Sequence, residues 1–419
     1  MRRYEIRGGR ALSGGVVLQG AKNSALPLMA ASALCTEGKV CFENCPVLED
    51  TSLTERILVS LGCGVTRKGG LMTVDPSGIC RCSVCREYCA GMRSSILFLG
   101  PLLARFGRAE MFLPGGCLLG ARPVDIHIKG LEKMGADVRV EGDRITAACP
   151  RGLRGAAIEL PFPSVGATEN MMTAASLAEG KTVIENAAAE PEIGDLADLI
   201  NRMGGHVRAD GGRITVFGVK RLHGCRKRII PDRIAAFTFF AAALATNGNI
   251  MVRGADPAHL RAAMRALEKT GAAFEISEDG IGVRRALDRI LPTEIVTAPY
   301  PGFPTDDMAL AMALLTVADG VSSLRETVFS DRFALTDELL KMGADMTVRR
   351  NVALVTGVHR LRGAAVRATD LRAGAALIVA GLAAEGETLI EDDGHIARGY
   401  ENIVGTLSAL GADITEREN

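Results

Sequence analysis

Six stretches of this chain are apolar on nearly every side: residues 25–34, 96–104, 171–178, 234–245, 308–317 and 375–384. A helix with no polar stripe is buried on all faces instead of lying on a surface. Each stretch runs into a polar–glycine–polar turn, at Gly38, Gly107, Gly180, Gly248, Gly320 and Gly386. Glycine there suits a left-handed helix cap. A second word, of the form Met-Gly-Ala-Asp-Val, places glycines at Gly62, Gly135, Gly204, Gly271, Gly343 and Gly411. Both words return roughly every 70 residues, which marks an internal repeat. Each copy reads as a buried helix, a β-branched strand (181–185 in the third copy), a second helix (194–203) and further strands (206–208, 213–216). The pattern is α/β. Six copies divide as three plus three, so two similar domains are expected, with a midpoint near Ile230 and Pro231.

The start of each apolar stretch is polar. Lys22, Arg93, Ser164, Asp232, Asp306 and Asp370 hold equivalent positions, about 15 residues before the turn glycine. Helix N-termini carry unpaired N–H groups and the positive end of the dipole, so they attract anions. With Lys22, Arg93, Arg233 and Arg372 added, a substrate bearing phosphate or carboxylate is expected. Simple N-capping explains Ser164, Thr305 and Thr369 equally well. It explains poorly the cations Lys22, Arg93 and Arg372 at that end of a helix, which are functional or else paired with neighbouring carboxylates.

Residues 113–123 hold three glycines and two prolines around Cys117, with Arg122 close by in sequence. A neighbouring cation lowers a thiol's pKa and makes it reactive. An inert loop thiol fits the same residues. Cys80, Cys82, Cys85 and Cys89 have spacings that can hold zinc. No partner motif stands at the usual distance, and unligated thiols are the better reading.

Composition narrows the field. Lys+Arg and Asp+Glu both number 49, which argues against a nucleic-acid binder working by bulk charge. No secretory leader opens the chain, and its apolar runs fall short of the ~20 residues that span a bilayer. Eleven cysteines in such a chain fit reduced thiols in the cytoplasm. No dinucleotide, P-loop or Ser-His-Asp signature stands in a convincing context.

Several motifs together resemble the enolpyruvyl transferases. They are Gly20-Ala-Lys-Asn-Ser24, Met92-Arg-Ser-Ser-Ile96, Pro114-Gly-Gly-Cys117, Gly120-Ala-Arg-Pro-Val-Asp125 and Ser164-Val-Gly-Ala-Thr168. The second half adds Pro231-Asp-Arg233, Phe303-Pro-Thr-Asp306, Glu326-Thr-Val-Phe329, Ala368-Thr-Asp-Leu-Arg372 and Arg398-Gly-Tyr-Glu401. The cysteine loop points to the branch that uses a UDP-sugar acceptor, not the sister branch acting on shikimate 3-phosphate.

The resemblance implies an inside-out α/β barrel of two domains, residues 22–230 and residues 1–21 with 231–419. It implies transfer of the enolpyruvyl group of phosphoenolpyruvate to the 3′-hydroxyl of UDP-N-acetylglucosamine, with loss of phosphate, as the first committed step of peptidoglycan synthesis. Cys117 is the implied acid at the enolpyruvyl methylene and Asp306 the implied base. Lys22, Asn23, Arg122, Arg332, Asp370, Arg372 and Arg398 are implied to hold phosphoenolpyruvate. Arg93, Pro123, Val124, Asp125, Ile126, Ser164, Val165, Gly166, Asp306 and Val328 are implied to line the UDP-sugar site. No cofactor, metal, nucleic acid or membrane partner is expected. Phe162 and Glu49 stand where lysine is often found. They leave open a different acceptor alcohol, while the cysteine-rich segment leaves open a non-catalytic thiol or metal sensor.

Overall fold

The computed structural model describes residues 1–115, 124–329 and 332–418. Within them the fold is mixed α/β and divides into two compact units. One comprises residues 20–115 and 124–230; the other comprises residues 1–19 and 231–418.

The apolar stretches form helices Lys22–Ala31, Leu99–Phe106, Val165–Ala175, Arg233–Ala245, Met308–Leu315 and Leu371–Ala383. Most begin earlier than the apolar run, because the polar residues ahead of it already belong to the first turn. Short 3-10 turns, Arg93–Phe98 and Thr305–Asp307, lead into two of them. Every residue of Arg233–Ala245 is buried, as a sequence without a polar stripe requires.

Amphipathic helices flank these. Glu49–Leu61, Asp125–Lys133 and Pro191–Arg202 lie in one unit; Pro257–Glu268, Thr336–Lys341 and Ile403–Ala409 lie in the other. Each ends at a glycine of the second word, and all six of those glycines have φ between 84 and 109°. The left-handed conformation there ends the helix without a Cβ clash.

The glycines of the first word behave differently from the sequence expectation. Gly107 caps its helix. Gly38, Gly180, Gly320 and Gly386 are left-handed but lie in the turn before the next strand. At Gly248 the positive φ belongs to Asn247 instead. Glycine is needed at 248 for space: a Cβ would lie 2.5 Å from the Leu12 carbonyl oxygen.

The strands form five four-stranded sheets among the described residues, all with one pairing order. In one of them Ala157–Glu159 runs parallel to Lys181–Glu185. That strand pairs antiparallel with Arg213–Phe217, which pairs antiparallel with His206–Asp210. Arg2–Arg7 alternates polar and apolar residues, so Tyr4 and Ile6 face inward. It lies between Glu387–Asp392 and Asp413–Glu418, which places the start of the chain in the unit that holds its end.

Each unit has its own apolar core. In the unit holding residues 231–418, Arg233–Ala245, Met308–Leu315 and Leu371–Ala383 pack against one another. Phe237 meets Phe303 edge-on at 5.6 Å, and Phe240 meets Phe274 at 5.2 Å. No described helix is long and apolar enough to cross a membrane. Phe240 is fully buried, so Phe240→Ala should cost about 3–5 kcal/mol, read as a lower urea midpoint. An unchanged midpoint would show that this core is not packed as described.

Candidate active site

In the unit holding residues 231–418, chemistry gathers on Asp306. The 3-10 turn Thr305–Asp307 sets it at the mouth of a buried helix. Arg332 Nη2 donates to its Oδ1 at 2.5 Å, and Arg372 Nη2 donates to its Oδ2 at 3.1 Å. Both arginines are buried, at 7% and 3% exposure. Burial alone would raise the Asp306 pKa; the two guanidinium charges overcome that and hold it well below the usual carboxylate range.

The next residue goes the other way. Asp307 is buried, neither carboxyl oxygen has a hydrogen-bond partner among the described residues, and burial pushes its pKa well up despite Arg233 and Arg372 nearby. Two adjacent carboxyls are thus driven apart. The paired arginines favour the charged form of Asp306, and burial favours the neutral form of Asp307.

Arg372 stands in the first turn of its helix because Asp370 caps that turn, accepting from the Arg372 and Ala373 N–H groups at 2.8 and 3.0 Å. Arg372 Nη1 also donates to the Tyr400 hydroxyl at 3.5 Å, and Tyr400 shares a 2.7 Å bond with Thr238. Burial works against the Arg372 charge, but Asp306 outweighs it and keeps the guanidinium protonated. Arg398 lies in the 3-10 turn Ile396–Arg398, and the adjacent Gly399 packs beside Leu371 and Arg372. The Val328 N–H is held by Glu326 at 2.7 Å.

In the other unit, Lys22 opens its helix and pairs with Asp50 at 2.8 Å, both side chains nearly buried. Asn23 follows it. The Ser24 hydroxyl donates to Asp195, whose other oxygen lies 2.5 Å from Lys227 Nζ. A second group surrounds His127. Arg93 begins the 3-10 turn Arg93–Phe98, Val124 is the N-cap residue of Asp125–Lys133, and Ile126 lies in that helix's first turn. Ser164 caps Val165–Ala175 by accepting from the Ala167 N–H at 3.4 Å, so its capping role is real. Gly166 leaves room for the His127 ring, which a Cβ would approach to 3.3 Å.

Asn170 Nδ2 is assigned as donor to His127 Nδ1 at 2.8 Å, which puts the ring proton on Nε2. Burial, helped by the Arg93 charge, lowers the His127 pKa to about 4. The ring is therefore neutral and acts as a spacer joining the Arg93, Asp125 and Gly166 segments.

Cys117, Arg122 and Pro123 lie outside the described residues. The capping expectation fails at Thr305 and Thr369. Asp370 caps the later helix, and the Thr305 hydroxyl is spent on Glu326. The sequence did not single out Glu326, Tyr400 or His127 by role; only motif membership hinted at the first two. Among the described residues, no three His, Cys, Asp or Glu side chains are placed to hold a metal. Cys80 and Cys85 are exposed, whereas Cys89 is buried and accepts from the Phe112 N–H at 3.4 Å.

The family model for EPSP synthase (3-phosphoshikimate 1-carboxyvinyltransferase) matches residues 6–407, and the chain belongs to that family. Among curated relatives, UDP-N-acetylglucosamine 1-carboxyvinyltransferase 1 of Staphylococcus aureus (strain MRSA252) is 46% identical over 422 residues, covering 100% of both chains. UDP-N-acetylglucosamine 1-carboxyvinyltransferase 2 of Staphylococcus saprophyticus is 46% identical over 413 residues, 98% of each. The crystal structure of the enolpyruvyl transferase NikO from Streptomyces tendae superposes with a TM-score of 0.89 at 26% identity, covering 99% of this chain and 98% of that one. EPSP synthase from Acinetobacter baumannii shares the fold, with a TM-score of 0.77 at 19% identity over 100% of each chain.

One buried acid gives a pH test. Burial, reinforced by Glu192 and Glu190, raises the Glu169 pKa well above normal. The folded state keeps its proton, while the unfolded chain ionises near its ordinary ~4.3. Stability therefore drains away as pH rises above that value. Glu169→Gln removes the penalty and should raise the melting temperature by about 3 °C at pH 8, with the gain vanishing near pH 4. An equal shift at both pH values would contradict the assignment.

Proposed function

We propose that this protein transfers the enolpyruvyl group of phosphoenolpyruvate to the 3′-hydroxyl of UDP-N-acetylglucosamine, releasing phosphate. The observation that carries this reading is Asp306 held between Arg332 and Arg372, in a chain 46% identical from end to end to proteins named for that reaction.

The chemistry follows from the charges. The acceptor oxygen adds to C2 of phosphoenolpyruvate as the Cys117 thiol gives its proton to C3. Asp306 takes the hydroxyl proton. C3 then loses a proton and the C–O bond to phosphate breaks, restoring the double bond. Lys22, Asn23, Arg122, Arg332, Arg372 and Arg398 hold the phosphate and carboxylate, arginines doing so in bidentate fashion. Asp370 serves by fixing Arg372. Arg93, Pro123, Val124, Asp125, Ile126, Ser164, Val165, Gly166, Asp306 and Val328 line the UDP-sugar site. In the substrate-free protein Asp306 is too weak a base for a sugar hydroxyl. Anionic substrate competes for Arg332 and Arg372, and that competition raises the basicity of Asp306 when it is needed.

The same reading gives an inside-out α/β barrel of six repeated units, three in residues 22–230 and three in residues 1–21 with 231–419. Two features support it. The five four-stranded sheets share one pairing order. At Gly155, Gly224 and Gly363 a Cβ would fall 2.2–2.3 Å from the carbonyl oxygen of Lys181, Lys39 and Glu387, a shared constraint at matching places. We place the reaction in the cytoplasm, in keeping with ten described cysteines that are all free thiols.

Phosphate release from phosphoenolpyruvate should depend on added UDP-N-acetylglucosamine. Cys117→Ser and Asp306→Asn should each cut kcat at least about 100-fold, and Cys117→Ser should still bind the UDP-sugar. Acceptor-independent release, or full activity in either variant, would refute the assignment.

A further inference from the structure

Strands Glu294–Val296 and Val321–Arg325 run parallel, with Val296 opposite Arg325. The residues just beyond their ends, Thr297 and Glu326, are therefore set side by side. Glu326 is buried at 2% exposure, yet four donors converge on its two carboxyl oxygens. Oε1 accepts from the Thr297 hydroxyl at 2.8 Å, from the Val328 N–H at 2.7 Å and from the Phe329 N–H at 3.1 Å. Oε2 accepts from the Thr305 hydroxyl at 2.8 Å.

Its backbone is pinned as firmly. The Glu326 N–H donates to the Asn351 carbonyl at 2.8 Å, and Asn351 Nδ2 donates to the Glu326 carbonyl at 2.9 Å. Thr327 closes the same corner, with its N–H on the Thr297 hydroxyl and its own hydroxyl on the Thr297 carbonyl. Thr305 passes the constraint onward, because its oxygen accepts from Arg332 Nε at 3.2 Å, and Arg332 holds Asp306.

We infer that Glu326 is a positioning residue that sets Arg332, through the Thr305 hydroxyl, and the Val328 turn, through its N–H. The inference rests on the reading that Asp306, Arg332 and Val328 meet substrate. The side-chain chemistry is restrictive. Every group facing Glu326 donates, so the side chain there must only accept. Thr305 must do both, accepting from Arg332 and donating to Glu326. A hydroxyl can do so and a methyl cannot. The arrangement also explains why a threonine directly before the proposed base turns its hydroxyl to an acid instead of capping the helix.

Thr305→Val and Glu326→Gln are the informative variants, with Thr305→Ser as the conservative control. Thr305→Val should raise the KM for phosphoenolpyruvate about ten-fold, the size of one hydrogen bond to a charged group, with a smaller change in kcat. Glu326→Gln should do the same and also raise the KM for the UDP-sugar, because Val328 is freed. The double variant should be no worse than Glu326→Gln alone, since both break one relay. Thr305→Ser should return the KM to within about three-fold of wild type, because the hydroxyl is retained.

A substrate-free readout separates this inference from the functional reading. In protein labelled with ¹³C at aspartate carboxyls, Thr305→Val and Glu326→Gln should let Asp306 titrate at higher pH than in wild type, as Arg332 loses its fixed position. An inactive wild type with those titration shifts would sink the functional reading and keep the positioning role. Unshifted titration in folded Thr305→Val, a serine variant as impaired as the valine, or additive effects in the double variant would overturn the inference.

Discussion

Burial pushes a carboxyl toward neutrality, yet the half-buried Asp306 stays ionised. Two buried guanidinium groups, from Arg332 and Arg372, hold it ionised against the desolvation that acts on it. The surrounding architecture can be read as what it takes to keep two buried guanidinium charges beside one half-buried carboxylate. Asp370 caps one helix so that Arg372 stands at its first turn. Tyr400 and Thr238 take up another Arg372 donor. Thr305, itself held by Glu326, accepts from Arg332 Nε. Asp307, whose carboxyl oxygens have no hydrogen-bond partner among the described residues, goes the other way, and burial pushes its pKa well up.

The other unit meets its electrostatics by different means. Lys22 is a cation at a helix start, where the dipole disfavours it, and Asp50 balances it. Around His127 the charge is removed altogether. Burial and Arg93 keep the ring neutral, and it serves as a hydrogen-bonded spacer between segments proposed to line the UDP-sugar site. That unit thus combines an ion pair at Lys22 with a neutral ring at His127, whereas the other relies on ion pairs around Asp306.

Much of this is legible in the chain. Six apolar runs without a polar stripe name the buried helices, and the second glycine word marks the helix ends. The helix starts are less clear. The polar residues before each run look like flanks, yet Lys22 and Arg372 lie within the first turn. The first glycine word is more ambiguous still, because glycine can serve conformation or space. Only the folded backbone separates left-handed Gly180 from Gly248, whose need is room beside Leu12. The hydrogen-bonding role of Glu326 is not legible at all. It depends on two parallel strands ending in register, a relation between distant residues that no local pattern encodes. The split between Asp306 and Asp307 is hidden for the same reason, since adjacent carboxyls look alike until their neighbours are known.

The central claim is that substrate anion releases Asp306 from its arginines and so makes it a base. Carbon-detected titration of the Asp306 carboxyl, identified by its loss in Asp306→Asn, tests this directly. Without substrate the carboxyl should stay ionised to a pH well below the ordinary ~3.9 of aspartate. Adding phosphoenolpyruvate should move its titration upward. A carboxyl that titrates normally when free, or one whose titration is unmoved by phosphoenolpyruvate, would contradict it.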